Sequence, residues 1–259
     1  DISDALSKGF EVTTDYSKIS LVDIIIICVP TPLTRYNQPE LKYIVQSIDS
    51  IMPYVKKGQL ISLESTTYPG TTDEELIPKL KQKGFVIGRD IYVCYSPERE
   101  DPGNESYSTR TIPKIVGGYS KVCLEVAVST YSLSIKKIVP VSSLRVAEMT
   151  KLHENIYRLI NIGLVNEMKI ICDKMNIDIH EVIRAAKTKP FGFTPYYPGP
   201  GIGGHCIPID PNYLTWKAKQ FDLETRFITL AQTINKEMTH WILDKLLEEL
   251  NLRGKILNN

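Results

Sequence analysis

The sequence predicts an α/β fold: a partial doubly wound parallel sheet followed by an all-helical region built on one long helix. Three observations carry this. From residue 20 to about 140, short β-branched runs alternate with longer amphipathic stretches, the pattern of βαβ units on a parallel sheet. From Ser142 to about Met175 the spacing is helical without a break. The composition, 42% hydrophobic and 24% charged over 259 residues, is that of a folded globular chain of one to two domains.

Each element follows from local pattern. Ile24 to Val29 is unbroken and β-branched, as a strand buried on both faces should be, and Pro30 and Pro32 stop it. Pro39 to Lys57 places Leu41, Ile44, Val45, Ile48, Ile51 and Met52 at helical spacing, with Gly58 as a stop. Gln59 to Leu63 reads as a strand, Thr72 to Lys83 as a helix before Gly84, and Ile91 to Tyr95 as another strand. Lys121 to Ser132 predicts a helix and Ile135 to Val139 a last short strand.

Ser142 and Ser143 can cap the long helix, which spans about 50 Å at 1.5 Å per residue and ends at Asn176. It is apolar on most sides beyond Ile156, so burial is expected, against a partner subunit for example. Asp178, with Glu181 three later, restarts a short helix to about Lys187. Lys189 to Pro211 is rich in Pro and Gly and is expected to be irregular. Leu223 to Leu250 returns to helix, and the ending after Leu252 resembles the lead into a further strand. The expected division is residues 1–141 as a ligand-binding α/β domain and 142–259 as a helical domain.

Composition excludes several classes. Lys plus Arg (31) nearly equals Asp plus Glu (30), and no basic run occurs, which argues against a nucleic-acid surface. The longest apolar run, Val22 and then Ile24 to Val29 interrupted by Asp23, is far short of the ~20 residues of a membrane helix. Asp-Ile-Ser-Asp at the start has neither an initiator Met nor a secretion pattern. Five dispersed cysteines, Cys28, Cys94, Cys123, Cys172 and Cys206, read as reduced thiols of a cytosolic protein, four of them as core filler. No CxxC occurs and His153-Glu-Asn-Ile-Tyr157 only approaches HExxH, so no metal site is expected.

Four segments are candidates for chemistry. In Pro198-Gly-Pro-Gly-Ile-Gly-Gly-His-Cys-Ile-Pro-Ile-Asp-Pro211, Gly199, Gly201 and Gly204 formally satisfy GxGxxG. Pro195, Pro198 and Pro200 oppose a preceding strand, and Pro208 and Pro211 oppose a helix at the last glycine, so this is no dinucleotide turn. Glycines around a thiol instead let backbone N–H groups approach a ligand, which makes Cys206 a candidate nucleophile rather than a packed core cysteine. On the long helix Glu148, Lys151, Asn155 and Arg158 share one face. A solvated stripe would explain that face on a surface helix, but this helix is mostly apolar, so the group points to a polar cavity. Two further loops, Glu64 to Thr72 and Ser96 to Gly103, follow strands, where ligands gather in open α/β sheets, although both also have ordinary turn chemistry.

With these segments in hand, the sequence resembles the UDP-glucose/GDP-mannose dehydrogenase family, which has a Rossmann-like NAD-binding domain and oxidises the C6 alcohol of a nucleotide sugar to a carboxylate with two NAD. Cys-Val-Pro-Thr-Pro (28–32), Glu-Ser-Thr-Thr-Tyr-Pro-Gly-Thr (64–71), Tyr-Ser-Pro-Glu-Arg (95–99), Glu-Met-Thr-Lys-Leu-His-Glu-Asn (148–155) and Gly-Gly-His-Cys-Ile-Pro-Ile-Asp-Pro (203–211) carry the resemblance, in order, across nearly the whole chain. The glycine motif and Ser-Pro-Glu-Arg are similar to the branch acting on UDP-N-acetylhexosamines in polysaccharide biosynthesis. Lys-Pro-Phe-Gly-Phe (189–193) points toward UDP-N-acetylglucosamine.

The resemblance implies roles. Lys151 and Asn155, with a water held by Thr67, would stabilise or deprotonate the C6 oxygen, and Cys206 would capture the aldehyde as a thiohemiacetal and then a thioester. Asp210 would orient Lys151 or a water, and Glu98 would serve as base for thioester hydrolysis. NAD would lie along Val29, Pro30, Thr31, Pro32 and Leu33, and along Thr66, Thr67 and Tyr68. The substrate would be bound by Glu98, Arg99, Lys151 and Asn155, and cradled by the loop Tyr197 to Gly203 with Gly199, Gly201 and Gly203. A homodimer or higher homo-oligomer through helix 142–176 is implied.

The sequence departs from the family in four places. Relatives acting on UDP-glucose have a second glutamate where Pro102 stands, with Glu100 nearby, and an arginine where Lys189-Pro190 stands. Both favour a substrate other than UDP-glucose. The opening Gly-rich NAD turn and the closing nucleotide-binding domain have no match here, so the chain reads as a catalytic middle, starting inside a domain, with little turnover expected of it alone. UDP-N-acetylmannosamine and UDP-glucose stay open as alternative substrates, and so do two other readings. A β-hydroxyacid or 6-phosphogluconate type dehydrogenase also sets Lys and Asn at i, i+4, but transfers one hydride without a thiol. An oligomerisation module would use the long helix only as a dimer core.

Overall fold

The computed structural model describes residues 2–100, 103, 106–204 and 206–255. The chain divides into two compact units, Asp1–Pro32 with Glu40–Met149, and Leu33–Pro39 with Thr150–Asn259.

The first unit opens with a short exposed helix, α1 (Ile2–Ser7), and a 3-10 turn, Tyr16–Leu21, capped by Asp15. Its centre is a five-stranded sheet in the order β1 (Ile24–Ile27), β2 (Leu60–Leu63), β3 (Tyr92–Tyr95), β4 (Lys114–Gly118) and β5 (Ile138–Val141). β1, β2 and β3 are parallel, as are β4 and β5, while β3 and β4 run antiparallel with Cys94 opposite Gly118. The crossovers are α2 (Lys42–Ile51), a π-helical turn Thr72–Leu76 continued by α3 (Ile77–Gln82), and α4 (Lys121–Tyr131), which is capped by Ser120.

The expected α/β class is therefore present, with differences that have physical causes. β1 is not buried on both faces: Ile24 and Ile26 are 39% and 48% exposed while Ile25 and Ile27 are buried. It is the edge strand of the described sheet, and the face that carries Ile24 and Ile26 is partly open to solvent. β4 was not expected, because Lys-Ile-Val-Gly-Gly is short and ends in two residues of low strand propensity. Gly117 is required by close approach, since a Cβ there would lie 2.3 Å from the Ser143 carbonyl oxygen. The last strand lies three residues beyond the expected start, at Ile138 rather than Ile135. Ile44, Ile48 and Ile51 of α2 are buried against Ile25, Ile27, Ile61 and Leu63 in one apolar core. Each such side chain contributes about 1.5–3 kcal/mol.

The long helix α5 (Leu144–Lys174) begins in the first unit and continues in the second. The Ser143 hydroxyl accepts the Val146 N–H at 3.3 Å, and Asn176, at φ 56°, turns the chain out of the helix. α6 (Ile179–Ala186), capped by Asp178, buries Ile179 and Ile183 with Val165 and Cys172 of α5. Within the single chain, Tyr157, Leu164, Met168 and Ile171 of α5 are exposed. α7 (Cys206–Lys219) and α8 (Arg226–Leu252) complete the unit.

α7 corrects the expectation that residues up to Pro211 are irregular and that proline forbids a helix there. Pro208 falls in the first turn, where no intrahelical N–H is needed. Pro211 removes one bond, and the Asn212 side-chain amide donates to the Pro208 carbonyl at 2.8 Å. The expected strand after Leu252 falls largely on residues 256–259, outside the described residues. No described helix is long and apolar enough to cross a membrane.

Candidate active site

In the first unit the loop after β2 is tied down at both ends. Ser65 reaches across to the end of β1, accepting the Val29 N–H and donating to the Val29 carbonyl, each at 2.8 Å. At the far end the Glu148 carboxylate of α5 accepts from the Gly70 N–H at 2.5 Å, the Thr72 N–H at 2.9 Å and the Thr72 hydroxyl at 2.7 Å. Glu148 is wholly buried, and burial pushes its carboxyl up to about 7 against these donors. Between the two anchors lie Thr66 and Thr67. Thr67 is fully buried, and its hydroxyl has no hydrogen-bond partner among the described residues.

At the start of the same loop, Glu64 pairs with Lys114 at 3.0 Å, both side chains below a tenth exposed. The Tyr131 hydroxyl donates to Glu64 and lies 2.7 Å from the Ser62 hydroxyl. Glu98 is exposed, its carboxylate accepting the Arg99 and Glu100 N–H groups at 2.7 Å each. Arg99 donates to the Pro113 carbonyl at 2.7 Å. Cys28, expected in the core, is exposed at the end of β1; partial burial, then Glu64, raises its thiol pKa. Cys94, Cys123 and Cys172 are buried, as core cysteines should be. Pro102, the position of the relatives' second glutamate, lies outside the described residues.

In the second unit Lys151, Asn155 and Asp210 are all buried. Asn155 donates through its amide to Asp210 and accepts from exposed Arg158. The polar face of α5 is thus not a solvated stripe over Lys151 and Asn155. Cys206 is exposed at the start of α7, and Asp210 follows one turn later on the same helix face. The glycine loop is held by α5 and α8. Gly199 donates to Asn166 at 3.0 Å, so that N–H is already used, and Asn166 donates to Asn235 at 2.8 Å. Gly201, at φ +110°, has no room for a side chain: a Cβ would lie 2.8 Å from the Asn235 carbonyl oxygen. Gly203 is open, and Tyr197 is half exposed and stacked on His180.

Pro200, Gly201 and Ile202 border a cavity of about 480 Å³ whose other walls include Asn212, Gln232, Asn235 and Lys236. Sequence reasoning counted only the apolar face of α8; the polar spacing Gln232, Asn235, Lys236, Thr239 was the available signal. Ser65, Asn166 and the bonds of Glu148 were also missed, because each acts across a long sequence separation. Val29 and Pro30 line a second cavity of about 500 Å³ with Tyr16, Tyr43, Gln46 and Asp49. This cavity lies at the carboxyl end of β1, where open α/β sheets take ligands, and the buried Thr67 hydroxyl, without a partner among the described residues, is on the loop after the neighbouring strand β2.

A mostly parallel sheet with such loops at its strand ends, followed by helices that bury a lysine and an asparagine one turn apart, is a Rossmann-type α/β fold joined to a helical region. Residues 2–135 match the NAD binding domain of the UDP-glucose/GDP-mannose dehydrogenase family and residues 145–237 its central domain. The chain belongs to that family. It is 39% identical to Protein CapL of Staphylococcus aureus and 36% identical to a UDP-N-acetyl-D-glucosamine 6-dehydrogenase of Salmonella typhi, over 96% of this chain and 58% of each of those proteins. The solved structure of a UDP-D-ManNAc dehydrogenase from Pyrococcus horikoshii aligns with a TM-score of 0.91 and 31% identity, over 98% of this chain and 60% of that one. The chain thus spans somewhat over half the length of the relatives it matches.

Proposed function

We propose that the intact protein is an NAD-dependent UDP-sugar 6-dehydrogenase of polysaccharide biosynthesis, oxidising UDP-N-acetylglucosamine to the uronate. Residues 1–141 would bind NAD, and 142–259 would carry the nucleophile and the dimer surface. The observation that carries this reading is the burial of Lys151, Asn155 and Asp210 together, on helices that also bear an accessible Cys206. A buried ammonium and carboxylate are costly unless they face polar partners or a reacting group.

Val29–Pro32 and Thr66–Thr67 would hold NAD, which would supply the hydride acceptor for both oxidations. Lys151 and Asn155 hold the C6 oxygen, with a water on the Thr67 hydroxyl taking part in its deprotonation. The Cys206 thiolate adds to the aldehyde carbon, forming a thiohemiacetal whose oxidation leaves a thioester. Glu98 activates the water that cleaves it, returning the thiol and releasing the carboxylate. Asp210 keeps Asn155 oriented, and Arg99 and the glycine loop border the substrate. Because Gly199 already donates to Asn166, the Gly201 and Gly203 amides are the better candidates for the diphosphate. Lys236 adds a cation to the cavity beside that loop.

The exposed apolar side chains Tyr157, Leu164, Met168 and Ile171 on α5 support a homodimer formed through this helix. A cytosolic setting suits five unpaired thiols. The structural likeness to a UDP-D-ManNAc dehydrogenase favours the mannosamine epimer as a second substrate reading.

The test is NADH formation by the intact protein against a panel of UDP-sugars. Two NADH per UDP-N-acetylglucosamine consumed supports the proposal, one NADH points to a single-hydride dehydrogenase, and preference for the mannosamine sugar selects the second reading. The 259-residue chain alone is expected to show little turnover.

A further inference from the structure

Glu148 is a wholly buried carboxylate to which the mechanism above gives no role, although it lies one turn before Lys151 on α5. Its three acceptor bonds run to Gly70 and Thr72, 76 to 78 positions earlier in the chain. Those groups form the start of the helical segment that continues into α3, whose first amides have no capping side chain of their own. Glu148 therefore caps that segment from another element, where the aligned amides favour an anionic oxygen. The Ser65 bonds to Val29 fix the opposite end of the same loop. Thr67, with its buried and unpartnered hydroxyl, is two residues from one anchor and three from the other.

We infer that Glu148 is a positioning residue: it holds the loop Thr66–Thr71 in one conformation and thereby sets where the Thr67 hydroxyl stands. This rests on the reading that Thr67 holds the reacting water. The ordinary alternative, a carboxylate that only stabilises the fold, would lower the amount of folded protein without changing turnover per folded molecule.

Glu148→Gln separates the two. The Gln oxygen can still accept from Thr72, while its NH2 faces the Gly70 N–H and cannot accept from it. Hydrogen exchange of the Gly70 amide should rise about tenfold or more relative to the α3 amides, the fold-change expected for losing one charge-assisted bond. In the intact protein kcat per folded molecule should fall by about tenfold with the KM for the UDP-sugar little changed, the signature of an interaction needed in the transition state. Thr72→Val, which removes only the hydroxyl contact, should show a smaller effect of the same kind and serves if the Gln variant folds poorly. Unchanged Gly70 exchange overturns the anchoring, and raised exchange with unchanged kcat overturns the positioning role. If the parent protein oxidises no UDP-sugar, the proposed function fails instead, and the exchange measurement alone decides the anchoring.

Discussion

The Asn155 side-chain amide donates to the Asp210 carboxylate, joining two buried side chains of α5 and α7 that stand 55 positions apart in the chain. Asn155 carries the amide proposed to hold the C6 oxygen, so its orientation depends on a residue of another helix. Asp210→Ala leaves a buried N–H without this acceptor and should cost about 1–3 kcal/mol. Asp210→Asn keeps the shape and should cost less. Urea unfolding checks the order, and equal midpoints for the three proteins would contradict it.

Cys206→Ser changes one exposed atom, so stability should stay within about 0.5 kcal/mol of the parent. Uronate formation by the intact protein should nevertheless stop, because the hydroxyl does not replace the thiolate as nucleophile at neutral pH. Thermal melting and mass spectrometry of the product read the two effects separately. An undiminished uronate yield removes Cys206 from the chemistry.

Glu148 makes stability depend on pH in the direction opposite to most carboxylates. Burial raises its pKa from the ordinary 4.5 to about 7, with Asp73 adding repulsion and the Gly70 and Thr72 donors opposing. Arg145, paired with Asp73, is the neighbouring cation on α5. Between these two values the folded chain binds more protons than the unfolded chain, so this contribution is lost as pH rises from 4.5 to 7 and then levels off. The full change is about 3 kcal/mol. Glu148→Gln should therefore gain stability relative to the parent between pH 5 and pH 8 in urea unfolding. A constant difference across that range would show that Glu148 does not titrate there.

Lys114 and Glu64 form a buried pair at 3.0 Å. Lys114→Met strands the Glu64 charge at the start of the loop that carries Thr67, and should destabilise the first unit by about 3–5 kcal/mol. Adding Glu64→Gln should recover much of that loss. Chemical unfolding of the two single variants and the double variant gives the coupling, and additive effects would mean the pair does not act as one.

The legible parts of the fold were those with local period. Ile44, Ile48 and Ile51 announced α2, Asp178 caps α6 as read, and Asn176 ends α5 as read. β4 and α7 were illegible for a common reason. Gly117 and Gly118 look like strand breakers until the Ser143 backbone is seen against Gly117, and Pro208 and Pro211 look like helix breakers until their places in α7 are known. For the candidate site, Lys151, Asn155 and Cys206 were visible as residue types out of keeping with their surroundings. Ser65, Asn166 and the bonds of Glu148 were not, since an isolated serine, asparagine or glutamate has no periodic signature.

What the amino-acid order determined by itself was most of the elements, β4 and α7 excepted, and the family, because hydrophobic period, caps and motif spacing are local properties of the chain. What only the tertiary structure decided was which polar groups are dry and what each one bonds to. Burial depends on residues 50 to 80 positions away, and it is burial that turns Glu148, Lys114 and Asp210 from ordinary surface-type residues into partners whose loss the fold should register.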